Sequence, residues 1–425
     1  MGLGLSAMLQ HIALALAFSS HVNAYNDFHF GFNFHDIGYA PQGVNISVDP
    51  RIIRKTLQRV RDYRPVTGLF DDWTVEGPSK DNITSVAKYW ADEYSWEDAQ
   101  QQMNRDYKHY ITKVPGSGNY TSDIPLHFLH HKSENDSAIP LLLLHGWPST
   151  SLEWSKGIRP LAESSELSFH VVAPDLPGFG FSPPATQDGL GTREMGRAVD
   201  ALMKQLGYST YGIATTDTGW FIGMWMVHDV ADSIIGHLFD FWYPNPNSTD
   251  IERFQANQTT AEETAVIESL HVWDDFHNAY SMVHSQKPIA MSLALADSPV
   301  GFLGWYWDLS YAISDGIPHS MDELITDALM LWLPGPYGNI RSYRQIFRPD
   351  IVDFPKTNVP SGVSQWGWGH GPFPGIANFP FTPRSWIERL CNVTYFKTHK
   401  RGGHFPARTL PEYWVSDVRE FFKGL

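Results

Sequence analysis

The stretch Tyr211-Gly212-Ile213-Ala214-Thr215-Thr216-Asp217-Thr218-Gly219-Trp220 decides how the rest of this chain is read. A β-rich apolar run enters a small-x-Asp-x-small turn, and an apolar helical segment, Phe221 to Val230, follows. That layout is a nucleophile elbow, a tight strand-to-helix turn that presents its central side chain above a sheet. The central residue is Asp217 rather than Ser or Cys. A carboxylate in that position points to a covalent alkyl-ester intermediate. Taken alone, the turn fits a helix start capped by Asp217 equally well, because Asp is a favoured N-cap. The neighbouring segments decide between the two.

Upstream, Pro140 leads into Leu141 to Leu144, a fully apolar run of the kind a buried parallel strand shows. His145-Gly146-Trp147-Pro148 follows it directly. A glycine-containing turn there can aim a backbone N–H at developing negative charge, and Trp147 and Thr218 are the expected pair of oxyanion donors. The loop Asp175 to Ser182 reads as structural, shaping the site floor; Ser182 lacks the elbow context of a nucleophile. Downstream, His404 lies in Arg401-Gly402-Gly403-His404-Phe405, after the last strand and before the terminal helix. A hydrolase of this layout places its base there.

Strand-like runs are expected at His109 to Val114, Ile124 to His130, Leu141 to Leu144, Phe169 to Ala173, Tyr211 to Thr215, Ile234 to Phe241, Thr357 to Ser364 and Val393 to Thr398. Helical patterns run over Asp49 to Arg61, Ser85 to Asp106, Ser151 to Ala162, Thr192 to Leu206, Phe221 to Val230 and Pro411 to Phe422. Strands alternating with helices imply an α/β fold with a mainly parallel sheet covered on both faces. Trp242 to Phe354 breaks that rhythm, being helical and rich in Trp, Tyr and Pro. It reads as an insertion over the carboxyl ends of the strands, where open α/β sheets bind ligands. The expected division is 1–24 signal peptide, 25–135 N-terminal region with the first strands, 136–241 first core part, 242–354 helical cap, and 355–425 second core part.

HGWP, DLPGFGFS, the x-x-Asp-x-Gly elbow and RGGHF together resemble the epoxide hydrolases of the α/β-hydrolase fold. The nearest branch is the microsomal and juvenile-hormone type, with an N-terminal meander region, and the resemblance runs from about Asp49 to the C-terminus. It implies a helical cap whose two tyrosines donate hydrogen bonds to the epoxide oxygen. The Asn278 to Pro288 segment resembles the family's Gly-Tyr-Met-His and Lys-Pro stretch and places one at Tyr280. Asn339-Ile340-Arg341-Ser342-Tyr343 resembles its Ser-x-Arg-x-Tyr motif and places the other at Tyr343. Such donors suit the reaction, because C–O cleavage develops alkoxide character that a phenol can protonate. The implied reaction needs a lipophilic epoxide and water, and neither cofactor nor metal. A haloalkane dehalogenase, which would share Asp217, His404 and Asp240, and a catalytically silent carrier of a lipophilic ligand are the competing readings.

The sequence departs from the family pattern twice. Thr218 follows the nucleophile where Trp is usual. The acid that orients the histidine normally follows the strand ending near Val363, but Ser364-Gln365-Trp366-Gly367-Trp368-Gly369-His370 contains none. Asp240, at the end of the strand after the elbow helix, is the expected replacement, since some haloalkane dehalogenases put their acid at that topological position.

Composition narrows the setting. Hydrophobic residues make up 42% and aromatics 14% of the 425, enough for a sizeable core. The net charge of −15, with no basic run, argues against nucleic acid or an anionic membrane surface as partner. The single Cys391 allows no internal disulfide, and no Cys/His cluster suggests zinc. An apolar stretch from Ile12 to Phe18 precedes Val22-Asn23-Ala24, the pattern of a cleaved secretory signal. Membrane association is expected only through an uncleaved N-terminus. Glycosylation triplets begin at Asn45, Asn82, Asn119, Asn135, Asn247, Asn257 and Asn392, which fits secretion or an endomembrane lumen.

Overall fold

The computed structural model describes residues 30–34, 36–241, 245–346, 348 and 352–425. The segment 1–24, read above as a secretory signal, lies outside them. Strands β1 (Gln42–Val44), β2 (His109–Val114), β3 (Ile124–His131), β4 (Ile139–Leu144), β5 (Phe169–Pro174), β6 (Tyr211–Thr215), β7 (Ile234–Phe239), β8 (Pro360–Trp366) and β9 (Asn392–His399) form one sheet. Their order is β1-β2-β3-β5-β4-β6-β7-β8-β9. Pairings among β4 to β9 are all parallel, while β1, β2 and β3 form an antiparallel edge joined to β5.

The four leucines of β4 are all fully buried, as covered faces on both sides require. Alternation sorts them: Leu142 and Leu144 join Ile213 in the main core, whereas Leu141 and Leu143 join Ala214 in a second cluster. The terminal helix Pro411–Lys423 fills that second cluster with Trp414, Val415, Val418, Phe421 and Phe422. The helix Asp217–Asp229 is buried from Thr218 to Val227, so its apolar residues need no polar face. It packs on β4, β6, β7 and the helix Thr192–Gln205.

Between β7 and β8 the chain forms helices Ser248–Gln255, Ala261–Phe276, Ala279–Gln286, Pro288–Asp297, Pro299–Ala312, Met321–Trp332 and Pro336–Ile346. They hang from the carboxyl end of β7 and therefore cover the end of the sheet where the elbow lies. The N-terminal helices brace this cap: Tyr94 and Thr326 share a hydroxyl hydrogen bond at 2.9 Å, and Tyr89 donates to Asp322 at 3.0 Å.

Several boundaries differ from expectation. Ser85 to Asp106 is two helices, Lys80–Asp92 and Trp96–Asp106, because the Ser95 hydroxyl accepts the Asp98 N–H and caps a new start. Ser151 to Ala162 divides into a short 3-10 turn, Ser151–Trp154, and the helix Ile158–Ala162. The elbow helix starts at Asp217 rather than Phe221, and β7 stops at Phe239, leaving Asp240 just beyond its end. The short edge strand β1 had no counterpart in the sequence reading.

Candidate active site

β4 and β6 are parallel neighbours with Leu144 opposite Thr215, so the turns leaving them emerge side by side. At the second turn Asp217 has φ of 47°, a left-handed conformation that few non-glycine residues adopt outside functional turns. A Cβ added to Gly219 would stand 2.1 Å from the Leu144 carbonyl oxygen, which explains the glycine after the elbow. The two oxygens of the Asp217 carboxylate have different partners. Oδ1 accepts the Trp147 backbone N–H at 2.7 Å and the Thr218 hydroxyl at 3.0 Å. Oδ2 lies 3.2 Å from His404 Nε2. Two backbone amides were expected around one oxygen; among the described residues Oδ1 has one amide and a hydroxyl as donors. The N-terminus of the elbow helix adds its favourable field for negative charge.

His404 follows β9 on the loop before the short helix Pro406–Thr409. The loop packs tightly on the cap. His404 N–H donates to the Ile313 carbonyl at 2.9 Å, and a Cβ added to Gly403, whose φ is +74°, would meet that same oxygen at 2.6 Å. The buried imidazole sits among the rings of Phe241, Trp368 and Phe405. Among the described residues, Asp217 is its hydrogen-bond partner.

Asp240 is buried close by, and it shares a small cavity with His404, Phe241 and Trp368. No hydrogen bond joins Asp240 to His404 among the described residues; its Oδ2 instead accepts the Trp414 indole N–H at 2.9 Å. Burial pushes the Asp240 carboxyl up to about 7, against the Thr216 hydroxyl and the Trp414 indole, which favour the ionised form.

The cap brings Tyr280 and Tyr343 together, with ring centroids 5.7 Å apart. Tyr280 lies on the helix Ala279–Gln286 and Tyr343 on Pro336–Ile346. Both border the main cavity with Asp217, His404 and Trp147. Burial, then the neighbouring Tyr280 and Asp217, raise the Tyr343 phenol well above its ordinary range, so it stays protonated. The cavity measures about 470 Å³, and its walls include Phe221, Trp273, Leu309, Trp368 and Phe379. Among its described lining residues are two carboxylates, Asp217 and Asp274, and no Lys or Arg.

The chain is similar to known proteins along most of its length. The family described as epoxide hydrolase N terminus matches residues 41–154, and the alpha/beta hydrolase fold matches 139–233. The juvenile hormone epoxide hydrolase of Bombyx mori is 26% identical over 406 residues, covering 88% of this chain and 84% of that protein. Epoxide hydrolase 1 of Sus scrofa is 26% identical over 402 residues, covering 86% and 84%. The crystal structure of the silkworm juvenile hormone epoxide hydrolase superposes with a TM-score of 0.81 at 22% identity, covering 94% of this chain and 98% of that one. The chain belongs to the epoxide hydrolase family. More narrowly, it is of the microsomal and juvenile-hormone type.

This epoxide hydrolase also carries site residues that sequence reading left without a role. The Trp147 indole donates to Asn339 Oδ1 at 3.1 Å, and Asn339 shares a helix with Tyr343. His284 is buried against Trp147, Tyr280 and Tyr343. Its Nε2 accepts the Trp305 indole N–H at 2.9 Å, so the ring is neutral with its proton on Nδ1, and burial lowers its pKa to about 3. The available signal was spacing, since His284 lies four residues after Tyr280 and so on the same helix face.

Proposed function

We propose that this protein opens a lipophilic epoxide to a vicinal diol through an ester on Asp217. Oδ2 of Asp217 attacks an epoxide carbon while Tyr280 and Tyr343 protonate the departing oxygen, leaving a hydroxyalkyl ester. Esterifying Oδ2 removes the partner of His404 Nε2, which then takes a proton from water as that water adds to the ester carbonyl. The oxyanion forms on Oδ1, where the Trp147 N–H and Thr218 hydroxyl already sit. Its collapse breaks the Cγ–Oδ2 bond; the diol leaves with Oδ2 and the proton from His404, and the second proton of the water restores the phenol. Asp240 serves His404 from across their shared cavity. The observation that carries this reading is the opposed anchoring of one carboxylate: Oδ1 held by donors, Oδ2 facing the base. The largely apolar walls support a lipophilic substrate.

The test is the intact mass of His404→Gln after exposure to panels of lipophilic epoxides and matched haloalkanes. A gain equal to a whole epoxide, mapped to the Asp217 peptide, is the expected result. Alkyl transfer from a haloalkane would replace the reading with a dehalogenase. Ligand bound and returned unchanged from both panels would replace it with a silent carrier.

We further propose residence in the secretory pathway, either lumenal or secreted. Asn45, Asn82, Asn119, Asn135, Asn247, Asn257 and Asn392 are all exposed, as glycan acceptors must be. Mass loss on treatment of the native protein with an N-glycosidase tests this; an unchanged mass would sink it.

A further inference from the structure

Asp315 is a fully buried acid outside the residues placed in the mechanism above. It follows the cap helix Pro299–Ala312 in a left-handed turn with φ of 55°. Its carboxylate reaches two core loops at once. Oδ1 accepts the His370 backbone N–H at 2.8 Å. Oδ2 accepts the Gly402 N–H and the Arg401 Nε–H, each at 3.1 Å. Arg401 also donates to the Asp315 carbonyl at 3.3 Å. The first loop follows β8 and lacks the expected acid; the second carries His404.

We infer that Asp315 is a positioning residue for the base, fixing the loop of His404 from the cap. The inference rests on the proposed two-step reaction. Two residues before it, the Ile313 carbonyl holds the His404 N–H, so the segment Ile313 to Asp315 grips the base loop at both Gly402 and His404. A chain gripped at two amides two residues apart fixes where the His404 side chain starts, and the rings of Phe241, Trp368 and Phe405 then hold the imidazole. A misplacement of about 1 Å can cost on the order of 100-fold in rate. The attack by Asp217 depends on this loop far less, because the elbow is held by β4 and β6 and Oδ1 by the Trp147 amide, leaving only the contact of Oδ2 with His404.

The test measures the two half-reactions separately with an epoxide that alkylates Asp217. In Asp315→Ala, alkylation should stay within about twofold while ester hydrolysis falls ~10- to 100-fold, so the adduct accumulates. Asp315→Asn should fall between, since its amide oxygen can still accept one N–H while its NH₂ would oppose another donor. Loss of both half-reactions in equal proportion would mean a merely structural role and overturn the inference, as would wild-type hydrolysis in a folded variant. If Asp315→Ala does not fold, Arg401→Gln carries the same test, with a smaller loss of hydrolysis expected and an unchanged rate overturning the idea. A second readout is independent of the reaction. Amide hydrogen exchange at 402–404 should speed up ~10-fold or more in Asp315→Asn while β6 is unaffected. Should no epoxide alkylate Asp217 in any form of the protein, the proposed function fails, and the exchange result alone decides whether Asp315 holds the loop.

Discussion

Trp147 and Tyr280 stack with ring centroids 5.3 Å apart and planes 14° from parallel. The loop whose amide reaches Asp217 Oδ1 is thereby pinned to the cap helix that carries the Tyr280 phenol. The same indole reaches the other phenol's helix through Asn339. Trp147 thus links core and cap through its side chain while its amide faces Asp217.

Trp147→Phe separates those duties. The amide remains and the ring still stacks, but the bond to Asn339 is lost. Alkylation of Asp217 is expected to slow roughly 10-fold, and hydrolysis of a preformed ester much less. Equal slowing of both steps in rapid-quench kinetics would show that the indole bond supports the whole site.

Replacing either tyrosine by Phe is expected to slow alkylation about 10- to 100-fold, and replacing both should cost 100-fold or more. Because Tyr343 is held well above the ordinary phenol range, the alkylation rate should not decline through phenol ionisation between pH 7 and about 10. A falling limb there in single-turnover alkylation would contradict the assignment.

Asp240, raised to about 7, is mostly protonated below that pH and ionised above it. Only the ionised form can stabilise an imidazolium at His404. Ester hydrolysis should therefore rise as pH increases through about 7, and Asp240→Asn should remove that limb and slow hydrolysis at pH 8 by roughly 10-fold or more. An unchanged pH profile in the variant would remove Asp240 from the mechanism.

Glu153 is buried beyond the Trp147 turn, accepts from Ser149 at 3.1 Å and is pushed up to about 8 by burial, partly opposed by Arg408. Between its ordinary value and 8 the folded state holds the proton that the unfolded state releases. Stability from this group is therefore full below pH 4.5 and declines as pH rises through 8, by up to about 1.4 kcal/mol per pH unit. Thermal unfolding of Glu153→Gln should show a flatter pH dependence between pH 5 and 8 than wild type. Parallel curves would refute the buried-acid account.

Turn chemistry made much of the site readable. The small residues around Asp217 and the glycines before His404 are demanded by local backbone geometry, so they stand out in sequence. Tyr280 and Tyr343 were visible only through motif resemblance, because a lone tyrosine in an aromatic-rich cap carries no local mark of function. Asp315 was not visible at all. Its partners, His370, Arg401 and Gly402, lie 55 or more residues away, and only tertiary packing brings them within reach. The Trp414 partner of Asp240 is hidden for the same reason, at a separation of 174 residues. The break at Ser95 was missed because no Pro or Gly marks it, although Ser95 followed by Glu97 and Asp98 is a plain helix-start signal.

The unequal anchoring of the Asp217 carboxylate gives its two oxygens different lifetimes. In the proposed cycle the oxygen on the His404 side leaves with every diol, and an oxygen atom from water takes its place. The oxygen held by Trp147 and Thr218 has no occasion to leave. In heavy-oxygen water, the first diol released by each molecule should thus carry an unlabelled oxygen drawn from the protein itself, and every later diol a labelled one. The enzyme would come away from many turnovers with one oxygen exchanged and the other as old as the chain.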